Sequence, residues 1–288
     1  MSILVDKKSK VIVQGITGGN GSYHTERMVD YGTNIVGGVT PGKGGQKVQD
    51  RPVFDTVKEC VDYTGADTSV IFLPARFVKE AAIEAIRAGI KFVVVVPEHI
   101  PIHDMLYIRK EAQEYGTTVL GGNTAGIISP GKANLGIMPN IAFKQGRVGT
   151  VSRSGSITYY VADTLTRSGY GETTCCGLGG DPVLGSTFAE ILWMFENDPD
   201  TKAVVMTGEI GGVYEEMAVD TIGGMKTPVL AMIGGIYAPP GKRMGHAGAI
   251  VEGKMGTAKE KLEMLASAGA HPCKTFTDIP KTLEKLGV

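Results

Sequence analysis

The chain has little of several things, and each shortage excludes a class of function. Only four cysteines occur in 288 residues, Cys60, Cys175, Cys176 and Cys273. None stands in a Cys-x-x-Cys pair or beside a histidine at zinc-site spacing, so a disulfide framework and a zinc module are not expected. Formal charge nearly balances at −1, which leaves no electrostatic footprint for nucleic acid or an anionic membrane surface. No apolar run approaches the length that spans a bilayer. The charged N-terminal stretch lacks the apolar core of a secretory signal, so a cytoplasmic setting, or an organelle matrix for a mature form, is expected. No Gly-x-x-x-x-Gly-Lys-Ser/Thr loop and no Mg²⁺-type carboxylate cluster occur, so a nucleotide site is expected elsewhere than on this chain. No metal site is assigned.

Glycine, in contrast, is abundant: 41 residues, clustered in short loops after apolar runs. The length suits two domains. Apolar, β-branched runs at 10–14, 34–39, 69–73, 92–96 and 117–120 alternate with amphipathic stretches at 21–31, 77–88 and 102–115. That rhythm predicts a parallel sheet covered on both faces. Residues 123–145 have little periodicity and read as a connector between a domain at 1–122 and one at 146–288. The rhythm then restarts, with strands at 149–151, 173–178, 203–207, 228–233 and 274–276. Helices are expected at 156–167, 186–196, 213–222, 257–268 and 279–286. Glycines ending several strands put ligands at the carboxyl edges of both sheets.

Gly15, Gly18 and Gly21 open a helix directly after the first strand, with Thr17, Gly19 and Asn20 among them. Such a loop permits close approach of a pyrophosphate to a helix N-terminus. The second strand carries no acid for nicotinamide ribose hydroxyls. It runs instead into a glycine loop bearing Lys43, suited to an extra phosphate such as the 3′-phosphate of CoA or the 2′-phosphate of NADP. Pro74 and Ala75 end the third strand; Pro97, Glu98 and His99 end the fourth. All face the same crevice in this scheme.

Ser152, Arg153, Ser154, Gly155 and Ser156 follow the first strand of the second half. Hydroxyls and free N–H groups there make an anion site, a helix cap, or both. Glu209 stands in a glycine loop at a strand end, placed to orient an imidazole through its second nitrogen. His246 lies between Gly245 and Ala247, with Lys242 and Arg243 upstream. A neutral imidazole in such a small-residue loop is a competent nucleophile near pH 7 and suits transient phosphorylation.

Taken in order, the loops at 15–21, 37–45, 152–155, 179–182, 208–212 and 241–249 resemble those of the α subunit of succinyl-CoA synthetase (succinate–CoA ligase) over essentially the whole chain. The resemblance implies an α/β protein: an N-terminal Rossmann-like CoA-binding domain followed by a flavodoxin-like, doubly wound ligase domain. It implies a β-subunit partner with an ATP-grasp site for ATP or GTP and Mg²⁺, in an αβ or α₂β₂ assembly. His246 matches the phosphorylated histidine and Glu209 the glutamate beside it. Thr17, Asn20 and Lys43 match CoA-contacting positions. The implied reaction joins a small carboxylic acid to CoA through an acyl phosphate and a phosphohistidine. The chain departs from the family pattern at Gly122, Thr124 and Ala125 within the segment around Asn123, at Arg76, and at Tyr160 after Tyr159. Succinate is the expected acid; malate or citrate is the alternative, with Thr124 able to meet a hydroxyl. A CoA-binding sensor without catalysis and an NADP oxidoreductase are the competing classes.

Overall fold

A computed structural model describes residues 2–239, 241–246, 248–251 and 256–288. The chain forms two compact units. One comprises Leu4–Met138 with Val183–Gly185; the other comprises Pro139–Pro182 and Ser186–Val288 with the extreme N-terminus. No helix among the described residues is long and apolar enough to cross a membrane.

The first unit contains β1 (Val11–Gln14), α1 (Gly19–Asp30), β2 (Ile35–Val39), β3 (Lys47–Val48), β4 (Arg51–Phe54), α2 (Val57–Thr64), β5 (Thr68–Ile71), α3 (Val78–Arg87), β6 (Phe92–Val95), α4 (Ile102–Tyr115), β7 (Thr118–Gly121), β8 (Gly126–Ser129) and β9 (Ala133–Gly136). Its main sheet has the order β3-β4-β2-β1-β5-β6-β7. All neighbours are parallel except β3 and β4. β1, β5 and β6 are buried along their whole length, as strands covered on both faces must be. The chain leaves β1 for β2 on one side and reaches β5 on the other. The crevice beyond the end of β1 is therefore the switch point at which open α/β sheets bind ligands.

The second unit contains β10 (Gln145–Ser152), α5 (Gly155–Arg167), β11 (Glu172–Gly177), α6 (Phe188–Glu196), β12 (Ala203–Glu209), α7 (Val219–Gly224), β13 (Val229–Gly234), α8 (Ala258–Ser267), β14 (His271–Pro272) and α9 (Asp278–Lys285). Its five strands run β14-β13-β12-β10-β11, and all are parallel. Val148, Val161, Leu165, Val205, Leu230, Ile279 and Leu283 form its apolar core. Capping boxes start α6 at Thr187 and Glu190 and α8 at Thr257 and Glu260, each satisfying two otherwise orphaned N–H groups.

Several elements depart from expectation. The connector stretch carries the antiparallel hairpin of β8 and β9. A short antiparallel ribbon, β3–β4, and helix α2 lie where no element was expected. The last strand falls at His271–Pro272 rather than at 274–276. The helix expected at 213–222 is a 3₁₀ turn at Glu216–Ala218 followed by the short α7.

Glu172, at the start of β11, is fully buried. Burial pushes its pKa up to about 7, with Thr150 and Cys175 offsetting only part of the effect. The folded state thus holds this proton more tightly than the unfolded chain does. Its contribution favours folding at low pH and is lost as pH rises from the ordinary carboxyl range through about 7. Between pH 5.5 and 8.5 the wild type is expected to lose about 2 kcal/mol relative to Glu172→Gln. Urea unfolding of both proteins at the two pH values checks this; parallel curves contradict it.

Candidate active site

The loop after β1 is built for close approach. Gly15 has φ +81° and a Cβ at Gly21 would run into the Gly15 carbonyl, so the loop and the first turn of α1 pack at backbone distance. Gly18 is the N-cap of α1 and supplies no side-chain cap. Gly18, Gly19 and Asn20 are exposed, which leaves the first N–H groups of the helix facing outward. The Thr17 hydroxyl bonds the Thr40 hydroxyl at 3.1 Å, tying this loop to the end of β2.

Lys43 lies in the exposed loop after β2. Its backbone N–H, with that of Gly44, donates to the Asp55 carboxylate at 3.0 and 2.9 Å, so the loop is anchored while the Lys43 side chain stays outside. Pro74 precedes a 3₁₀ turn after β5. Pro97 and Glu98 follow β6, and the Pro97 carbonyl accepts the Asn123 N–H at 2.7 Å. Gly15, Lys43, Pro74, Pro97 and Glu98 thus all follow the carboxyl ends of parallel strands in the first unit. Thr124 is buried, and its hydroxyl accepts the Gly126 N–H at 2.9 Å.

In the second unit, β11, β10 and β12 are neighbours, and their carboxyl ends bring three loops together. Arg153 follows β10, Gly179 and Gly180 follow β11, and Glu209 is the last residue of β12. Arg153 is only 3% exposed. Its guanidinium donates to the carbonyls of Gly179 and Asp181 at 3.3 and 3.2 Å, and stacks 4.9 Å from the centre of the Tyr214 ring. Its remaining arm pairs with Glu209 Oε1 at 3.0 Å. Glu209 Oε2 meets His246 Nδ1 at 2.5 Å.

A carboxylate only accepts, so Nδ1 carries a proton, and in the neutral ring the lone pair lies on Nε2. The ring lies flat against Gly180: a Cβ there would stand 2.6–2.7 Å from His246 Cδ2, Cγ and Nε2. His246 is about one-quarter exposed, against 9% for the Glu209 side chain. The imidazole therefore lies at the mouth of the site, with the Arg153 and Glu209 charges inside. Ala247, expected as a small neighbour of His246, lies outside the described residues.

Ser154 is the N-cap of α5 and accepts the Ile157 N–H at 3.4 Å. The Ser152 hydroxyl, fully buried, exchanges hydrogen bonds with the Ser154 backbone at 3.0 and 3.2 Å. Both hydroxyls thus shape the turn, and the first-turn N–H groups of Gly155 and Ser156 are the ones left without an intrahelical acceptor. Tyr159 is half-buried one turn further along, where burial raises its phenol pKa.

Sequence reasoning set Arg153 within the anion loop, took Gly179–Pro182 as a similar turn without linking Gly180 to the imidazole, and gave no role to Tyr214, Glu215 or Lys261. A signal existed for Lys261. On α8 it falls in phase with Ala258, Leu262 and Leu265, all buried, and a charge on an apolar face announces a buried partner.

Comparison with known proteins agrees with this architecture. A CoA binding domain is matched over residues 6–99 and a CoA-ligase domain over residues 151–271. The α subunit 1 of an ADP-forming succinate–CoA ligase from Archaeoglobus fulgidus is 51% identical over 99% of this chain and 98% of its own. The corresponding α subunit of Aquifex aeolicus is 50% identical over 99% of this chain and 95% of its own. Among solved structures, ATP citrate lyase of Methanosaeta concilii with (3S)-citryl-CoA superposes with a TM-score of 0.90 at 25% identity. The match covers 98% of this chain and 50% of that longer one. With half its residues shared with such relatives over nearly its full length, and with both domains matched in order, this chain belongs to the succinate–CoA ligase α-subunit family.

Proposed function

We propose that this chain is the α subunit of a nucleotide-dependent ligase that joins succinate to CoA reversibly, with His246 as the phosphoryl carrier. The observation that carries the reading is the Arg153–Glu209–His246 chain, its arginine and glutamate buried, which engages Nδ1 and leaves Nε2 as the other nitrogen of the imidazole.

In the forward direction Nε2 attacks the γ-phosphorus of a nucleoside triphosphate held by a β subunit. An N–P bond forms and the bond to the nucleoside diphosphate breaks. Positive charge develops on the ring, and Glu209 balances it through the Nδ1–H. Arg153 holds the carboxylate in line and supplies its counter-charge. A carboxylate oxygen of the acid then takes the phosphoryl group from Nε2, giving an acyl phosphate. The CoA thiolate displaces phosphate to form the thioester. N–H groups at the start of α5, with Ser154 and Ser156, suit a phosphoryl oxygen, and the helix dipole adds to them. Tyr159, Asn123 and Thr124 are assigned to the acid; the Thr124 hydroxyl accepts the Gly126 N–H at 2.9 Å. ATP or GTP with Mg²⁺ belongs to the partner's ATP-grasp domain in this scheme, and a cytoplasmic setting fits.

CoA is assigned to the first unit, with Gly15, Thr17, Gly18, Gly19 and Asn20 around the pyrophosphate and Pro74, Pro97 and Glu98 at the crevice. Lys43 is assigned to the 3′-phosphate. Lys43→Ala is expected to weaken CoA about tenfold, the scale of one solvated charge-assisted contact, and to leave 3′-dephospho-CoA nearly unchanged. Calorimetric titration of both ligands checks it; equal losses for the two would remove Lys43 from that phosphate. The function itself is tested by thioester formation in the complex with the β subunit, supplied with ATP or GTP and succinate, malate or citrate. Succinyl-CoA as the main product is the expected result. A preference for either hydroxy acid would overturn the substrate, and no thioester with any acid would overturn the ligase reading.

A further inference from the structure

Beneath Glu209 lies a second ion pair that does not touch the histidine. Lys261, on α8, is 1% exposed and Glu215 is fully buried. The Lys261 ammonium meets Glu215 Oε2 at 2.5 Å and donates to the carbonyls of Gly211 and Gly212 at 2.6 and 3.3 Å. Glu216 Oε2 stands 3.2 Å away. The other oxygen of Glu215 accepts the backbone N–H of Glu209 at 3.0 Å. One buried ammonium therefore fixes the loop that follows Glu209, and the carboxylate it holds fixes the backbone of Glu209 itself.

Such a pair is a poor source of stability, since desolvating both charges cancels most of their attraction. What it supplies is geometry. Glu209 has to divide its two oxygens between Arg153 and His246, and a shift of its backbone would carry Oε2 away from Nδ1. We infer that Lys261 and Glu215 are positioning residues that hold Glu209 in register with His246 and so restrict phosphorylation to Nε2. The inference rests on the reading of His246 as the phosphoryl carrier.

Its test uses the full chain in complex with its β subunit and two phosphoryl donors. The first is nucleotide. The second is phosphoramidate, whose P–N bond breaks with release of ammonia as a new N–P bond forms on imidazole, without any nucleotide site. The isomer formed on the His246 peptide is then read. Wild type is expected to give the Nε2 isomer alone with both donors. Lys261→Met/Glu215→Leu, which replaces the pair by apolar groups of similar volume, is expected to lower the nucleotide-driven rate 10- to 100-fold with nucleotide KM unchanged. With phosphoramidate it should give a mixture of Nδ1 and Nε2 products. Glu215→Gln leaves one acceptor for two donors, the Lys261 ammonium on one side and the Glu209 N–H on the other, and should give the same mixture. If the double variant does not fold, Lys261→Arg takes its place, because the larger guanidinium displaces the Gly211 and Gly212 carbonyls; the same mixture is expected. Exclusive Nε2 product at the wild-type rate in the folded variant overturns the inference. A wild type that yields Nε2 product with phosphoramidate and none with any nucleotide overturns the carrier reading instead.

Discussion

Glu209→Gln is expected to lower the rate of His246 phosphorylation about 10²–10⁴-fold while leaving the fold and CoA binding intact. The substitution is nearly isosteric, so packing around the buried side chain hardly changes. The chemistry does change. Arg153 stands 3.0 Å from Oε1 and, as a pure donor, selects the carboxamide oxygen. The NH₂ group must then face His246 Nδ1, where Glu209 Oε2 lay 2.5 Å away. An NH₂ donates, so Nδ1 has to accept and the ring proton moves to Nε2. The nucleophilic lone pair is thereby withdrawn from the side on which phosphoryl transfer takes place, and the ion that balanced the developing imidazolium is gone. Initial rates of acid-labile phosphate incorporation in the α–β complex measure the effect. A rate within about threefold of wild type would show that the carboxylate neither sets the tautomer nor stabilises the charge.

Gly180→Ala is expected to cost about 10²-fold in the same assay by a different route. Gly180 has no left-handed backbone to lose, so alanine is tolerated by the main chain. Its methyl, however, would stand 2.7 Å from His246 Nε2 and 2.6 Å from Cδ2, closer than a real methyl contact allows. One side must give. The strand-end turn carrying Gly180 is held by Arg153 through the carbonyls of Gly179 and Asp181, whereas His246 sits on a loop and is partly exposed. The imidazole therefore moves, leaves Glu209, and loses the aim that makes Nε2 reactive. Thermal stability close to wild type together with the lost rate is the expected pattern; wild-type phosphorylation would show that the ring does not rest on Gly180 in the working complex.

These two residues show how unevenly the site could be read beforehand. Glu209 and His246 were legible because each stands alone, a titratable side chain among glycines, at a place where a strand or a long loop ends. Local chemistry was enough to pair them. Gly180 carried no such mark: a glycine after a strand suits any turn, and its contact with the ring is made across 66 residues of sequence by the parallel order of β11, β10 and β12. Arg153 was visible only as a member of an anion loop, where the hydroxyls and N–H groups of its neighbours drew the reading. Its burial comes from two carbonyls in another loop. Lys261 had the clearest overlooked signal, its phase on α8, which periodicity marks as buried.

The same distinction runs through the fold. Long β-branched runs such as Phe92–Val95 and the apolar stretch within Ala203–Glu209 fell where expected, because a strand buried on both faces leaves an uninterrupted pattern. The β8–β9 hairpin did not announce itself. Its ends pair Gly126 with Gly136, glycines whose backbones pass too close for side chains, and the surrounding Gly, Pro and Asn residues resemble loop. The β3–β4 ribbon is too short to show an alternating pattern. Along 213–222 an amphipathic helix was expected, but Glu215 turns inward to Lys261 and Glu209, and the segment closes as a 3₁₀ turn that delivers it there.

The most direct test of the account is the position of the phosphate. The α–β complex would be incubated with labelled ATP or GTP and Mg²⁺, and the label mapped by mass spectrometry under conditions that preserve phosphoramidate bonds. The account predicts one acid-labile phosphate on His246 at Nε2, absent from His246→Gln and discharged by succinate with CoA. Label on another residue, an acid-stable label, or label that persists in His246→Gln would contradict it.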